Sequence, residues 1–335
     1  MDRGVTQAEI DFLTGRTQRP SGVTSEVLDG LAEKFSDARL ERVVLQDGRR
    51  FIVKHLVPDW LTRAGGAEGR ALVLWSSRIL EEVAGAVDHT IIDCVQTADG
   101  WCVVMRDASD VLIPPRIPVS RATSGTLLRG LGRLHDVEVD PIGGLCSIGS
   151  RYALFAPQFH RADTGPGPHP MREVIVRGWE LFFGMVSADV GEAVAAVHAD
   201  PAPLESALAR FPTTILHGDA KLENMGLRDG RLVLIDWGDL TGFGPVEVDV
   251  AWFALRGAAR LEASIDDVFA DYAGETGRRL DPAALDLACL GSLAQMGFRM
   301  ASAAVDGRPE PRAVGRSQLD WWTSRVRRAL DTLPL

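Results

Sequence analysis

The sequence predicts an α+β protein of two unequal lobes, a small β-containing N-lobe followed by a larger, mainly helical C-lobe. Two observations predict it. β-rich runs arranged as hairpins, with one helical stretch between them, fill the first third of the chain. Beyond residue 106, apolar residues recur at helical spacing almost to the end. A length of 335 residues leaves room for two lobes, each with its own core. A composition of 46% hydrophobic and 24% charged residues is that of a globular protein and excludes wholesale disorder.

Taken in order, residues 1–20 are polar and read as a loosely packed arm, with 21–106 as the N-lobe and 107–335 as the C-lobe. From Ser21, "SGVTSEVLDGLAEKFSD" fits either a helix or a first strand and loop. "RLERVVLQDGRRFIVKHL" is a hairpin, because Asp47-Gly48 between two β-rich runs favours a tight turn. Leu72, Trp75, Ile79 and Leu80 fall at helical spacing and predict a helix over 67–84. "TIIDCVQTADGWCVVM" reads as a second hairpin. In the C-lobe, "SGTLLRGLGRLHDV" is amphipathic, and the apolar stretch from Met171 to Asp200 is helical with a break near Ala188. Further helices are expected at about 246–258, 263–276, 281–304 and 312–331. Asp281 before Pro282 is a good N-cap and first-turn pair for the third of these. The glycine- and proline-rich segment 161–170 must be a loop or lid.

The formal net charge of −10 does not suit general binding to nucleic acid or anionic lipid and suits cationic small molecules better. Four scattered cysteines without a CxxC pair argue against a disulfide framework or structural zinc and fit a reducing cytosol. The first residues lack the apolar core of a signal peptide, and no segment is long and apolar enough to span a bilayer. The expectation is a cytoplasmic protein with no nucleic-acid or membrane partner.

Chemistry concentrates in "TTILHGDAKLENMGL", residues 213–227. Alone, it reads as a catalytic loop or as a polar turn joining two strands. "NMGLRDGRLVLID" then forms a short hairpin turning at Asp229-Gly230, which returns Asp236 to the end where Asn224 and Asp219 lie. Two carboxylates and an amide oxygen at one mouth make the oxygen-rich set that Mg²⁺ prefers.

"HGDAKLEN" and "IDWGD" resemble the catalytic loop and metal-binding motif of the aminoglycoside phosphotransferase and choline kinase family, a branch of the protein-kinase-like fold. The resemblance runs from about Ile215 to Phe253. It implies a two-lobed kinase-like fold, ATP or GTP as phosphoryl donor, and Mg²⁺. It implies Asp219 as catalytic base, Asn224 and Asp236 as metal ligands, His217 as a brace of the loop, and Asp249 as the helix-opening aspartate that hydrogen-bonds it. Lys221 fits the D-x-K-x-x-N spacing in which a lysine neutralises the transferred phosphate, or it is a solvated loop lysine. Lys54, closing "RRFIVK", is the expected contact to the α/β-phosphates, with Glu68 as its helix partner and Glu81 and Glu82 solvated. The linker "VVMRDAS" would offer a purine its backbone around Met105, Arg106 and Asp107. The sequence departs from the kinase pattern in having no G-x-G-x-x-G before the Lys54 strand, which leaves the phosphate-covering loop unassigned.

Other features are expected to be structural. Trp321 and Trp322 read as packing, His135 as a helix-end brace, and His160, His169 and His198 lack metal spacing. Glu262, Asp266, Asp267 and Asp271 lie where antibiotic kinases bind substrate amines, although a helix face of carboxylates is more often simply solvated. The functional expectation is an enzyme that transfers the γ-phosphoryl of a nucleotide to a hydroxyl of an aminoglycoside, other antibiotic or sugar. Choline, homoserine and nucleoside acceptors remain open, as does a catalytically inactive nucleotide- or partner-binding module.

Overall fold

The computed structural model describes residues 5–18, 20–28, 38–59, 69–162 and 171–330. Its N-lobe is a five-stranded antiparallel sheet in the order β1-β2-β3-β5-β4. The strands are β1 (Thr24–Val27), β2 (Arg39–Val44), β3 (Arg50–Leu56), β4 (Ile91–Gln96) and β5 (Trp101–Arg106). Side chains alternate across a strand, so each strand serves two faces. Phe51 and Val53 of β3 and Cys102 and Val104 of β5 point outward into one apolar cluster. Leu56 of β3 and Trp101, Val103 and Met105 of β5 point the other way, toward the body of the protein. By the same alternation Lys54, two residues from Leu56, belongs to the inner face. Within that stretch Thr24–Val27 forms the first strand, and its part at 29–37 lies outside the described residues.

Two N-lobe expectations need correcting. The described part of the arm packs on the sheet. Residues Gln7–Leu13 form helix α1, whose capping box joins Thr6 and Glu9. Phe12 and Leu13 are buried against the outer face of the sheet, and Arg49 of the β2–β3 turn pairs with Glu9. The helix expected over 67–84 is instead two short ones, α2 (Arg70–Ser76) and α3 (Ile79–Val83). Arg78 between them adopts a left-handed conformation, φ 64°, which ends one helix and redirects the chain. The apolar periodicity survives that break because Leu74, Ile79, Leu80 and Val83 all reach the same core. Glu81 and Glu82 are exposed, as expected.

The C-lobe carries α4 (Arg121–His135), α5 (Ile148–Ala153), α6 (Pro157–Ala162), α7 (Arg172–Met185), α8 (Ala188–Ala199) and α9 (Ala202–Leu208). Strands β6 (Thr214–Leu216), β7 (Met225–Arg228), β8 (Arg231–Leu234) and β9 (Gly242–Gly244) follow, then α10 (Glu247–Gly257), α11 (Ile265–Thr276), α12 (Pro282–Ala304) and α13 (Pro309–Ala329). Asp281 caps α12 by accepting from the N–H groups of Ala283 and Ala284. Helix α12 is buried nearly all round, the mark of a central core helix, and packs on α7, α10 and α13. His198 donates from Nε2 to Ala294 O (2.7 Å), and His160 bonds Leu154 O (3.0 Å), so both buried histidines brace helices. Trp322 is fully buried; Trp321 packs beside it and donates to Asp266. Segment 163–170, which holds most of the expected loop and His169, lies outside the described residues.

The lobes are stitched along one side. Asp88, in the turn before β4, donates its N–H to Leu232 O (2.9 Å) and accepts from Leu234 N (2.9 Å). Its carboxylate takes Arg106 (2.5 Å) from the N-lobe and Arg228 (3.0 Å) from β7. Arg231 reaches back to Ala84 O and Val87 O, and Ile113 N bonds Met225 O (2.8 Å). The β7–β8 hairpin is thus held by both lobes.

Candidate active site

The loop between β6 and β7 begins with a conformation only glycine tolerates. Gly218 has φ +82°, and a Cβ there would sit 1.8 Å from Leu240 O. Asp249, fully buried near the start of α10, grips this turn from below. It accepts from His217 N at 2.8 Å and Gly218 N at 3.0 Å, using one carboxylate oxygen for each. His135 Nε2 lies 3.5 Å from the same carboxylate. Burial alone would raise the Asp249 pKa, but the hydrogen bond with His135 and the nearby Arg151 charge outweigh it and hold it below the usual aspartate range.

His217 is fully buried. Its Nδ1 accepts from Asp219 N (3.2 Å) and its Nε2 donates to Ile235 O (3.0 Å), while the edge of Trp237 packs on the ring. Burial pushes its pKa down despite three nearby carboxylates, so the ring is neutral with the proton on Nε2. It braces the loop and does not face the cleft.

Asp219 carries the densest set of contacts. Lys221 Nζ donates to Oδ2 at 2.6 Å, Asn224 Nδ2 to the same oxygen at 3.0 Å, and Trp252 Nε1 to Oδ1 at 2.9 Å. Asn224 also donates to Asp219 O (3.0 Å), and a single 3-10 turn over Leu222–Asn224 delivers it there. Of the two readings open for Lys221, the geometry excludes a freely solvated side chain.

The β7–β8 hairpin turns at Asp229 and Gly230, both at positive φ, and returns the chain so that Ile235 N bonds Asn224 O at 3.0 Å. Asp236 follows at φ 68°, a left-handed conformation that costs energy in a non-glycine residue and marks a position fixed by its surroundings. Across the cleft, Lys54 Nζ meets Asp236 Oδ1 at 2.5 Å. Burial opposes the Lys54 charge, but Asp236, Asp239 and Asp219 hold its pKa above the usual lysine range. The Lys54 ammonium in turn holds Asp236 well below the carboxylate range, against burial.

Asn224 and Asp236 fit a hard cation. Both amide hydrogens of Asn224 serve Asp219, which leaves its carbonyl oxygen as the available donor, and Asp236 is ionised and 38% exposed. No cluster of three or more His, Cys, Asp or Glu able to hold a metal exists among the described residues. Two oxygen ligands suit Mg²⁺, which keeps waters and takes phosphate oxygens for the rest.

The other expected site residues fare differently. Glu68 lies outside the described residues. Arg70, the first residue of α2, donates to Asp239 O (2.6 Å). Met105 sits within the sheet, paired with both Ile52 and Ile91. The N–H groups of Arg106 and Asp107 are committed to Thr90 O and Arg50 O, and the Asp107 carboxylate takes Arg42 (3.0 Å). The N–H groups of Arg106 and Asp107 are therefore engaged within the protein.

The acidic face on α11 is also occupied. Arg121 pairs with Asp271 (2.6 Å) and Asp267 (3.2 Å) and donates its N–H to Glu262 (3.2 Å). Asp267 completes a capping box with Ser264, and Asp266 accepts from Trp321 (3.1 Å). Asp266, Asp267 and Asp271 thus tie α11 to α4 and α13, and Glu262, just before the helix, bonds the start of α4. Trp252 and Arg151, by contrast, were not foreseen, because their contacts join residues far apart in sequence.

A sequence model of the phosphotransferase enzyme family matches residues 32–285, well over half of the chain. The chain belongs to the phosphotransferase enzyme family. No curated protein sequence matches it. Its fold is that of solved small-molecule kinases. A spectinomycin phosphotransferase crystallised with ADP and spectinomycin superposes with TM-score 0.53 at 10% identity, covering 92% of this chain and 94% of that one. A choline kinase from Streptococcus pneumoniae gives TM-score 0.53 at 14% identity, with 90% and 93% covered. An aminoglycoside phosphotransferase from Alicyclobacillus acidocaldarius gives 0.51 at 14%, with 99% and 98% covered. Among the described residues of this phosphotransferase, no helix is long and apolar enough to cross a membrane.

Proposed function

We propose that this phosphotransferase moves the γ-phosphoryl group of ATP or GTP to a hydroxyl of a small molecule, with Asp219 as the base. One observation carries the reading. The Asp219 carboxylate, bonded by Lys221 and Asn224, shares one site with the Lys54–Asp236 pair. The acceptor hydroxyl would bond Asp219, its oxygen would attack the γ-phosphorus as the bond to the β–γ bridging oxygen breaks, and Asp219 would take the hydroxyl proton. The nucleoside diphosphate leaves. Lys54, on the inner face of β3, would hold the phosphates, and Lys221 would offset charge developing on the transferred group. Asn224 and Asp236 would hold Mg²⁺, which when bound screens the phosphate charge. Asp219 and Asp236 keep distinct roles: one is bonded by neutral and cationic donors around the acceptor position, the other faces the donor side.

With the N–H groups of Arg106 and Asp107 committed, the first backbone donor beyond the sheet is that of Ala108, and a purine edge would bind there. An antibiotic or sugar is the acceptor class proposed first, supported by the spectinomycin and aminoglycoside enzymes sharing this fold. The choline kinase keeps amino alcohols within the class tested. Since Arg121 occupies the α11 carboxylates, that face lends no support to a polycationic acceptor.

Nucleotide consumption measured against a panel of antibiotics, sugars, amino alcohols and nucleosides tests the reading, with ATP and GTP run separately. Asp219→Ala should abolish turnover while leaving the thermal midpoint and a Mg²⁺-dependent nucleotide shift in place. Retained turnover would remove Asp219 from its role. The absence of any Mg²⁺-dependent nucleotide shift in the wild-type protein would favour a non-catalytic module.

A further inference from the structure

Asp219 is held from two sides, and the motif residues account for only one. Lys221 and Asn224 both bond Oδ2. The other oxygen, Oδ1, is bonded at 2.9 Å by the indole N–H of Trp252, which lies on α10, three residues after Asp249 and 3% exposed. Behind that indole stands Arg151 of α5. Its guanidinium carbon is 4.7 Å from the Trp252 ring centroid, and its Nη1 donates to Gly218 O, the carbonyl just before Asp219. Arg151 is 2% exposed, and its Nε and Nη2 are buried without a hydrogen-bond partner. A buried guanidinium left half unsatisfied is costly, and a purely structural role would be better filled by an apolar side chain. A cation over an indole face draws electron density from the ring, which strengthens the indole N–H as a donor.

We propose that Trp252 and Arg151 are a positioning pair for Asp219. Trp252 fixes the free carboxylate oxygen, and Arg151 sets both the indole and the Gly218 carbonyl that precedes the base. The pair rests on the phosphotransfer reading of Asp219. Its effect is on rate, because neither side chain reaches the donor side. With Oδ1 anchored, the carboxylate cannot rotate about its last bond, and the oxygen that receives the hydroxyl proton stays aimed at the acceptor.

Trp252→Phe keeps an aromatic ring beneath the cation and deletes the donor together with the five-membered half of the indole. Its expected effect is a fall in kcat on the order of 10- to 100-fold, the range of one charge-assisted hydrogen bond, with the nucleotide KM unchanged and the thermal midpoint lowered by the smaller buried ring. Arg151→Met should also lower kcat, and Arg151→Lys should recover part of it. Turnover is read as γ-phosphate release from Mg·ATP with the acceptor found by the panel. A second readout needs no acceptor. Among the 8 tryptophans, the Trp252 indole N–H resonance is the one lost in Trp252→Phe, and it should move strongly in Asp219→Ala. Wild-type kcat in Trp252→Phe, a loss confined to KM or stability, or a Trp252 resonance indifferent to Asp219→Ala overturns the pair while leaving the role of Asp219 intact. Retained turnover in Asp219→Ala overturns both.

Discussion

Asp249→Asn is the sharpest probe of how the β6–β7 loop is held. The carboxylate is fully buried and spends one oxygen on His217 N (2.8 Å) and the other on Gly218 N (3.0 Å). An amide of the same shape can satisfy only one of these donors. Whichever way it turns, its NH₂ faces a backbone N–H, and that donor is orphaned in a dry site. The lost charge-assisted bond costs about 1.5–3 kcal/mol and the orphaned donor about 1–3 kcal/mol. Relief from burying a carboxylate offsets part of this. The net expectation is a loss of about 3 kcal/mol in a urea titration analysed by linear extrapolation, together with a fall in kcat as the turn loosens. The sign with pH is fixed. The folded-state pKa of Asp249 is depressed, so its stabilisation is present above the ordinary aspartate value of about 3.9 and is lost as pH falls through the folded value. The gap between wild type and Asn should therefore close in strong acid. An Asn variant within about 0.5 kcal/mol of wild type at neutral pH would refute the view that this carboxylate carries the loop.

Three further outcomes are expected. Gly218→Ala should cost at least about 1–2 kcal/mol from the left-handed backbone alone, more from the clash with Leu240 O, and lower kcat, as read by thermal unfolding and a turnover assay. His198, whose pKa burial pushes down to about 4, stabilises the fold above the unfolded histidine value of about 6.5 and loses that contribution as pH falls toward 4. That window corresponds to roughly 3 kcal/mol, and His198→Gln should flatten the stability–pH curve across it in urea titrations. Lys54→Met should weaken nucleotide binding measured by titration, whereas Lys221→Met should leave that affinity in place and lower kcat, since Lys221 contacts Asp219 and not Asp236.

The parts of the fold legible in the sequence are those written in short-range rules. Asp47-Gly48 and Asp229-Gly230 are turn chemistry, Asp281-Pro282 is a cap, and the spacing of Asp219, Asn224 and Asp236 follows from one loop and one hairpin. What stayed hidden depends on partners far away in the chain. Nothing local to Asp266, Asp267 and Asp271 shows that Arg121 and Trp321 will occupy them. Nothing in "VDVAWF" says that its tryptophan will reach Asp219, or that Arg151 will lie across the ring. The break at Arg78 was invisible for a different reason: the residues on either side keep one apolar periodicity through a change of direction. The spent N–H groups of Arg106 and Asp107 follow from strand register, which a linker motif does not specify.

The stitched side of the molecule has a mechanical consequence. The ribbon of β7 and β8 carries Asn224 and Asp236 at one end and Arg228 and Arg231 at the other; Ala84 and Val87 hold the Arg231 end, and Asp88 runs along β8 from Leu232 to Leu234. With four residues per strand, those ends are only about 13 Å apart. The molecule behaves like a book bound along that ribbon. Sliding the covers past each other would drag Asn224 and Asp236 with the spine, whereas splaying the fore-edge would carry Lys54 away and leave Asp236 beside Asp219.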